Sequence, residues 1–507
     1  MDAQISNMGN KPLQIMKFGG TSVGDAPSIR KVIEIIRDAA HTSDLVVVVS
    51  AMSGVTNKLV EAATQSEAGN RDSVEMIFEQ LRQRHYAAVS ALIHAVSLRS
   101  RITAEAEQVF QEAGRLCEGT ALLRELTLRA RDSISSIGER LSAPLVAAAL
   151  SECGVASEAI EATDLIQTDS CHGAADPRMD LTRERCQKRL RPLLRKGLVP
   201  VVTGFIGATA EGALTTLGRG GSDYSATILG AALEADEIVI WTDVDGMMTA
   251  DPRLVPGACT IAEISYREAA ELAHFGAKVL HPKTLRAVTQ CGIPLWIRNT
   301  FAPERAGTKI TPAGPPDAGG VKGLTAISDV ALITVGGPGI VGVPDVLGRT
   351  FATTAAVRTN VLLISQSSSQ NDICLVVSSA LAQTTVEALR REFAQDLAHE
   401  KVEHITLDPT VSIVTVVGQN MRGSGIVGRT FGALGRAEVN IVAIAQGSSE
   451  CNLSFVVSRV DMQAALVTAH REFQLDAVNS KVLSEAAAGE SPAAWYYEPQ
   501  QPHADAD

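Results

Sequence analysis

The densest concentration of reactive chemistry in this 507-residue chain lies in TTLGRGGSDYSATILGAAL, Thr215 to Leu233. Gly218, Gly220 and Gly221 carry no Cβ, so the backbone there can approach a ligand closely. Ser222 and Asp223 are cap-type residues for the apolar helix that follows. Amides at such a helix start favour an anion, and Arg219 among them suits a two-pronged grip on a carboxylate. An ordinary tight turn with a helix cap would use the same residues. Lys17 stands at the end of the apolar run Leu13 to Phe18, just ahead of Gly19 and Gly20. Its ammonium could reach a phosphate held over that loop; a strand-end lysine reaching for solvent is the plainer alternative. There is no GxxxxGK[ST], so a Walker-type site is not supported. In WTDVDGMMTADPRL, Thr242 and Asp243 close a further apolar run, placed for a nucleotide or metal, and Arg253 could reach phosphate. Asp245-Gly246 also reads as a plain turn. HFGAKVLHP adds Lys278 beside a glycine, where a surface lysine is the alternative.

These groups need a frame. Leu13 to Phe18 and Leu45 to Val49 read as strands, the second a continuous apolar run of the kind covered on both faces. Between them Asp25 and Pro27 open a helix whose Ile29, Val32, Ile33 and Ile36 form one apolar face. Both strands run into Gly/Ser loops, which places a ligand at the carboxyl edge of an α/β sheet. Residues 57–150 read as mostly helical. Strand-like runs return at Leu198 to Val202, Glu237 to Trp241 and Ile293 to Ile297, with a helical patch holding Glu268, Glu271 and Lys278 before the last. The alternation predicts an α/β domain with a mainly parallel sheet over 1–305. Four Pro and five Gly between Ala302 and Gly323 predict a linker, set at 306–324.

Beyond it lies an internal repeat. Arg349 to Ser378 aligns without a gap onto Arg429 to Ser458, each copy reading as strand, Gly-rich loop, helix, two strands and helix. Two ferredoxin-like units are expected, at 325–400 and 408–482, followed by a disordered tail at 486–507. GPGIVG (Gly337 to Gly342) and GSGIVG (Gly423 to Gly428) match GxGxxG. The following strands end in Ser365-Gln366 and Ala445-Gln446, amides where a dinucleotide site wants an acid, so Rossmann binding is disfavoured.

Composition excludes other classes. The formal net charge is −12 and aromatics make up 4%, against a nucleic-acid or anionic-membrane surface. Eight Cys occur without a CxxC and ten His without an HExxH, which predicts reduced thiols and no protein-held metal. No apolar stretch approaches the ~20 residues of a membrane helix. The N-terminal residues show no signal or transit pattern, so a cytoplasmic location is expected.

KFGGTSVGD, VVVVSAMSGVTNKL, SIGERLSAP, VVTGFIG, TTLGRGGSDYSA, IWTDVDG, TADPRL and FGAKVLHP, in this order, closely resemble the aspartate kinases of the amino-acid kinase superfamily. The repeat resembles their paired ACT domains. The resemblance covers residues 13–480 and implies a carbamate-kinase-like αβα sandwich followed by two ACT units, the second inserted within the first. It implies transfer of the ATP γ-phosphoryl group to the β-carboxylate of L-aspartate, the entry to lysine, threonine, methionine and isoleucine. Too little chain follows residue 480 for a fused dehydrogenase, so a monofunctional kinase is expected. By motif, Lys17, Phe18 and the Gly19-Gly20 amides would hold the phosphates, with Lys278 assisting and Thr242, Asp243, Met248 and Arg253 around the nucleotide. Arg219 would grip the α-carboxylate of aspartate; Glu139 and Asp223 would meet its ammonium; Ser50, Thr56, Gly220, Gly221 and Ser222 would complete the pocket. Lys17, Asp223 and Lys278 are the expected catalytic groups. Mg²⁺ would ride on ATP. Met248 departs from the tyrosine of many relatives. Gln366 and Gln446, with Asn360 and Asn440, resemble the effector positions of threonine-sensitive members, with lysine as the alternative effector. Pairing of ACT units implies a homodimer or homotetramer.

Overall fold

The computed structural model describes residues 11–274, 280–315, 320–337, 344–366, 371–421, 425–446 and 451–476. Its first strand, β1 (Leu13–Phe18), leads through Asp25, whose carboxylate accepts a hydrogen bond from the Ser28 amide, into α1 (Ala26–Ala40). Ile29, Val32, Ile33 and Ile36 are all buried, as their spacing predicts. Next come β2 (Asp44–Val49) and a helical run: α2 (Val55–Ala68), α3 (Arg71–Leu92), α4 (Val96–Leu123), α5 (Leu128–Ser135) and α6 (Ile137–Glu152). The chain then forms β3 (Ser157–Ile160), α7 (Met179–Arg195), β4 (Val199–Thr203), a small hairpin of β5 (Ile206–Ala208) and β6 (Leu214–Thr216), α8 (Gly221–Leu233) and β7 (Glu237–Thr242). β8 (Glu263–Ser265), α9 (Tyr266–His274), α10 (Pro282–Thr289), β9 (Leu295–Asn299) and β10 (Thr308–Thr311) complete this part.

Eight of these strands form one sheet in the order β3-β4-β2-β1-β7-β9-β10-β8. The six from β3 to β9 are parallel; β10 runs antiparallel to β9. Strand periodicity sorts the side chains into two cores. Met16, Phe18, Val47, Val49, Val239 and Trp241 face one core with α1 to α6. Ile15, Val46, Val48, Ile238 and Ile240 face the other, with α7, α8 and α10. The result is the expected αβα sandwich.

The stretch 306–324 is not a bare linker. Thr308–Thr311 is β10 of the large sheet, and Gly320 begins β11 (Gly320–Ile327), which pairs with a strand some ninety residues later. The first repeat is β12 (Val330–Gly336), α11 (Pro344–Ala356), β13 (Val361–Gln366), β14 (Asp372–Ser378), α12 (Ser379–Glu392), α13 (Ala394–Ala398) and β15 (His404–Asp408), with sheet order β13-β14-β12-β15. The second is β16 (Val411–Gln419), α14 (Ile426–Arg436), β17 (Ile441–Ala445), β18 (Asn452–Ser458) and α15 (Met462–Glu472), in a sheet ordered β11-β16-β18-β17. The nesting thus runs opposite to expectation: the 330–408 unit lies inside the other, whose fourth strand, β11, precedes it. The repeat extends to side chains. Arg349 reaches Glu392 at 2.7 Å and stacks on Phe393, and eighty residues on Arg429 reaches Glu472 at 3.0 Å and stacks on Phe473. Val330, Leu332, Leu363 and Val376 of one unit pack with Val411, Ile413, Ala443 and Val456 of the other. The expected tail, 486–507, most of the first GxGxxG segment and the first two residues of the second lie outside the described residues.

Candidate active site

β1, β2, β4 and β7 end at one edge of the sheet, with Phe18 in register with both Val49 and Trp241 and Val49 with Thr203. The loops that leave them are stitched to neighbouring strands. Ser50 N donates to Phe18 O at 3.1 Å, Gly204 N to Val49 O at 2.9 Å and Ser53 N to Gly20 O at 3.0 Å. Gly19 N donates to Trp241 O at 3.1 Å. This corrects one expectation: the Gly19 amide is committed to the sheet, and only the Gly20 amide lacks an acceptor among the described residues.

α8 begins at the same edge. Its N-cap is Gly220, not Ser222 or Asp223, at a left-handed φ of 70°. A Cβ there would stand 2.6 Å from the Cβ of His281, so both conformation and space require glycine. Ser222 and Asp223 sit inside the first turn, where amides have no intrahelical acceptor and the side chains remain available.

A cavity of about 950 Å³ opens over this edge, lined by Lys17, Gly19, Gly20, Ser50, Thr56, Glu139, Arg219, Gly220, Gly221, Ser222, Asp223 and Thr242. Twelve of the expected site residues thus share one space. Lys17 Nζ lies 2.5 Å from Asp223 Oδ1, both side chains largely buried. Glu139 is 3% exposed, and its Oε2 has no hydrogen-bond partner among the described residues. Burial pushes its carboxyl up to about 8, against a backbone hydrogen bond from Ala51 and the charge of Lys17. A buried acceptor left open in this way wants a cation. Arg219 is exposed at the mouth and forms no ion pair among the described residues.

Other expected residues stand apart. The Phe18 side chain is fully buried, stacked on Trp241 at 6.1 Å, so it supports the loop from beneath and does not line the cavity. Asp243 is exposed and accepts from Thr242 Oγ1 at 3.3 Å. Met248 is half-buried, its sulfur accepting from Thr260 Oγ1 at 3.6 Å. Arg253 is exposed and paired with Asp251 at 2.7 Å, a hydrogen bond that raises its pKa. These three extend along the segment after β7 and do not line the cavity. Lys278 lies outside the described residues.

Some lining groups escaped the sequence reading: Asn57, Arg131, Asp132, Phe205 and Thr216. Asp132 is buried and accepts from Thr216 Oγ1 at 2.5 Å, His172 Nδ1 at 2.8 Å and Gly173 N at 3.0 Å, tying α5 to β6 and the loop before α7. Phe205 holds φ at 71°, and a Cβ on Gly221 would meet its ring at 2.6 Å. The positive φ follows Gly204 in VVTGFIG but has no local signature. Asp132 stands in an unremarkable helical run, and only its tertiary partners reveal it. Among the described residues no cluster of three His, Cys, Asp or Glu could hold a metal ion.

Far from this cavity, Asn360 and Gln366 bracket β13, and Asn440 and Gln446 bracket β17; all four are exposed. The second repeat also grips the segment after β7. Ala250 and Val255 belong to its apolar core. His470 of α15 lies 3.0 Å from Thr249 Oγ1, and Gln463 donates to Leu254 O at 3.1 Å.

Comparison with known proteins agrees with this architecture. Residues 12–299 match the amino acid kinase family, and residues 333–393 and 414–473 match the ACT domain. The bifunctional aspartokinase/homoserine dehydrogenase 2 of Arabidopsis thaliana is 34% identical over 476 residues, 91% of this chain and 50% of that protein. The chain thus spans about half the length of such relatives. Aspartokinase 1 of the same plant is 31% identical, over 90% of this chain and 80% of its own. E. coli aspartokinase III, solved with aspartate and ADP, superposes with a TM-score of 0.76 at 29% identity, covering 91% of this chain and all of that one. The same protein solved with lysine and aspartate gives 0.75 over 91% of this chain and 99% of that one. The chain belongs to the amino acid kinase family and carries a pair of ACT domains behind its kinase domain.

Proposed function

We propose that the chain is an aspartate kinase, transferring the γ-phosphoryl group of ATP to the β-carboxylate of L-aspartate to give ADP and 4-phospho-L-aspartate. The observation that carries this reading is the single cavity in which a buried Lys17, the Gly20 amide and the first turn of α8 face Glu139 and Arg219. Two kinds of demand meet there. Cationic and N–H donors suit phosphates, while an open carboxylate and a free guanidinium, both beside the phosphate groups, suit an amino acid. E. coli aspartokinase III, with the same fold, has been solved with aspartate and ADP.

The acceptor is a carboxylate with a reference pKa of about 4, already ionised at neutral pH, so no general base is needed. Catalysis then rests on in-line placement and neutralisation of the transferring group. Arg219 takes the α-carboxylate of aspartate, and Glu139 and Asp223 meet its ammonium. Ser50, Thr56 and Ser222 close the pocket around it. Lys17 lies between donor and acceptor and stabilises negative charge on the phosphoryl oxygens. Lys278 assists from the nucleotide side, with Thr242, Asp243, Met248 and Arg253 around the nucleoside. Mg²⁺ supplies further neutralisation when bound; without a carboxylate cluster in the described cavity, phosphate oxygens and water hold it.

The ACT pair is the seat of feedback inhibition in this reading. Asn360 and Gln366 stand at opposite ends of β13, roughly 20 Å apart at strand spacing. One small effector therefore takes its contacts from two units, Asn360 or Asn440 from one and Gln366 or Gln446 from another. Side-chain amides suit a polar, uncharged amino acid, which favours threonine over lysine. Assembly through the ACT units, as a homodimer or homotetramer, and entry into lysine, threonine, methionine and isoleucine synthesis belong to the same proposal.

An ATP-dependent hydroxamate assay with aspartate, glutamate or no acceptor tests the reaction. Aspartyl hydroxamate is expected; its absence would overturn the assignment. Titrating threonine and lysine separately tests the effector, and inhibition by lysine alone would refute the choice of threonine.

A further inference from the structure

A second cavity, about 480 Å³, lies on the α1 face of the large sheet. Its origin is geometric. The apolar stripe of α1 packs over β1 and β2, while among the described residues the same face of β7 and β9 receives no helix of its own. A second stripe of α1, running Lys31, Glu34, Ile35, Asp38 and Ala39 at helical spacing, overhangs the gap. The floor is made by Met16, Val239 and Trp241, with Gln14 and Glu237 toward the amino ends of their strands and Arg298 on β9. Gln14 and Glu237 sit some four or five residues, roughly 15 Å, from the carboxyl ends where the kinase cavity opens. The two cavities have no lining residue in common, and the groups that line the first are absent from this one.

Its polar groups are poorly satisfied from within the protein. The Arg298 guanidinium stacks on Trp296 at 4.7 Å but forms no ion pair among the described residues. Burial lowers its pKa, with Glu237 opposing. Gln14 Nε2 donates to Glu237 Oε1 at 2.5 Å, leaving Gln14 Oε1 without a partner. Arg298 Nε and the indole N–H of Trp241, a residue 4% exposed, also lack partners. Among the described residues, three buried polar atoms without partners thus border one cavity, two of them donors and one an acceptor. Each such atom is costly unless something else completes it.

We propose that this cavity is a second small-molecule site, which takes a free aliphatic amino acid as its zwitterion. The donors Arg298 and Trp241 receive the carboxylate, for which a planar guanidinium is the apt partner. Glu237 and Gln14 Oε1 receive the ammonium. The aliphatic chain lies against Met16, Val239, Ile35 and Ala39. Glu34, Asp38 and Glu237 repel a nucleotide or other polyanion, and the volume fits a small molecule. Occupancy requires side-chain shifts of Gln14, Trp241 and Arg298, whose partnerless polar atoms are buried beside the cavity. The Trp241 carbonyl accepts from Gly19, so occupancy touches the strand that carries the phosphate loop. This site is independent of the effector positions in the ACT units.

Calorimetric titration of the full-length chain with L-norleucine, in the presence of saturating aspartate and ADP, tests the proposal. One saturable site per chain is expected. Hexanoate, which lacks the ammonium, and pentylamine, which lacks the carboxylate, should each bind about ten-fold or more weakly. Arg298→Gln should weaken norleucine by about ten-fold or more. Ala39→Phe should do the same by filling the cavity from the helix side, which guards against a fault peculiar to the Arg298 variant. A Gln366→Ala/Gln446→Ala variant should bind as wild type does. Absence of saturable binding up to about 10 mM, binding indifferent to both cavity variants, or hexanoate binding as tightly as norleucine would each overturn the proposal.

Discussion

Glu139 is a carboxyl group almost wholly removed from water. Burial takes its carboxyl from 4.5 to about 8, so between those values the folded state holds a proton that the unfolded state has lost. The stability it contributes is complete below pH 4.5 and declines as pH climbs to about 8, by a few kcal/mol. Glu139→Gln should flatten that slope and be more stable than wild type at pH 8 in urea unfolding; an unchanged slope would refute the assignment. Binding of the aspartate ammonium requires the ionised form, so the wild-type KM for aspartate should fall as pH rises toward 8, and the Gln variant should lose this limb. Lys17, 2.5 Å from Asp223, bears on the chemical step instead. Lys17→Ala should lower kcat by about three orders of magnitude with near-native circular dichroism, and near-normal turnover would refute its role. Residue types beside Gly-rich loops made Lys17 and Arg219 legible in the sequence. Asp132 was not, because its three partners come from positions forty or more residues away.

Among elements, strands with strong local pattern were read closely: β1, β2 and β7 fall within a residue of their expected bounds. β10 and β11 were read as linker because Gly and Pro dominate their neighbourhood, and because their partners are not local. β11 holds two glycines and pairs with β16, a match no window of neighbouring residues contains. The start of α8 was found, yet its cap was misassigned. Ser and Asp favour N-caps generally, but here the approach of His281 demands glycine two to three residues earlier. The segment after β7 is held by its own domain, as where Met247 N donates to Thr308 Oγ1 at 2.8 Å, and also by α15. His470 is 3% exposed and anchors Thr249, six to seven residues from the proposed nucleotide positions Thr242 and Asp243. His470→Ala should therefore raise the KM for ATP several-fold, about 1 kcal/mol in binding, and leave kcat at saturating ATP near wild type. Steady-state kinetics at fixed aspartate separates the two, and an unchanged KM would show that the contact does not position the segment.

Across the described chain, the amino acid kinase domain shares part of its wall with the second ACT unit. Ala250 and Val255 of the kinase domain lie in the same core as Val414, Leu453 and Phe455. Asn452 donates to Glu271 at 2.5 Å, and Gln419 to Ala313 O at 2.8 Å. The 330–408 unit packs on the second unit through a seam of Val330, Leu332, Leu363 and Val376 against Val411, Ile413, Ala443 and Val456. The repeat itself was legible, since 349–378 and 429–458 align without a gap. Which unit encloses which was not, because the deciding strand lies outside the repeat.

That enclosure makes the inner unit a removable cassette. Ile327 at the end of β11 is in register with Ile413 on β16, so the points where the chain departs and returns lie roughly 5 Å apart on neighbouring strands. Deleting 329–411 and joining Ser328 to Ser412 through Asn-Gly would turn β11 and β16 into a simple hairpin. With Ile413 and Val456 changed to Thr to cover the bared seam, the shortened chain should keep ATP-dependent aspartyl hydroxamate formation and lose its response to effector. Failure of the kinase domain to fold, seen by thermal melting, would contradict this. Evolution, or an engineer, could exchange the inner unit for another by the same two cuts, with β11 and β16 left in place to receive it.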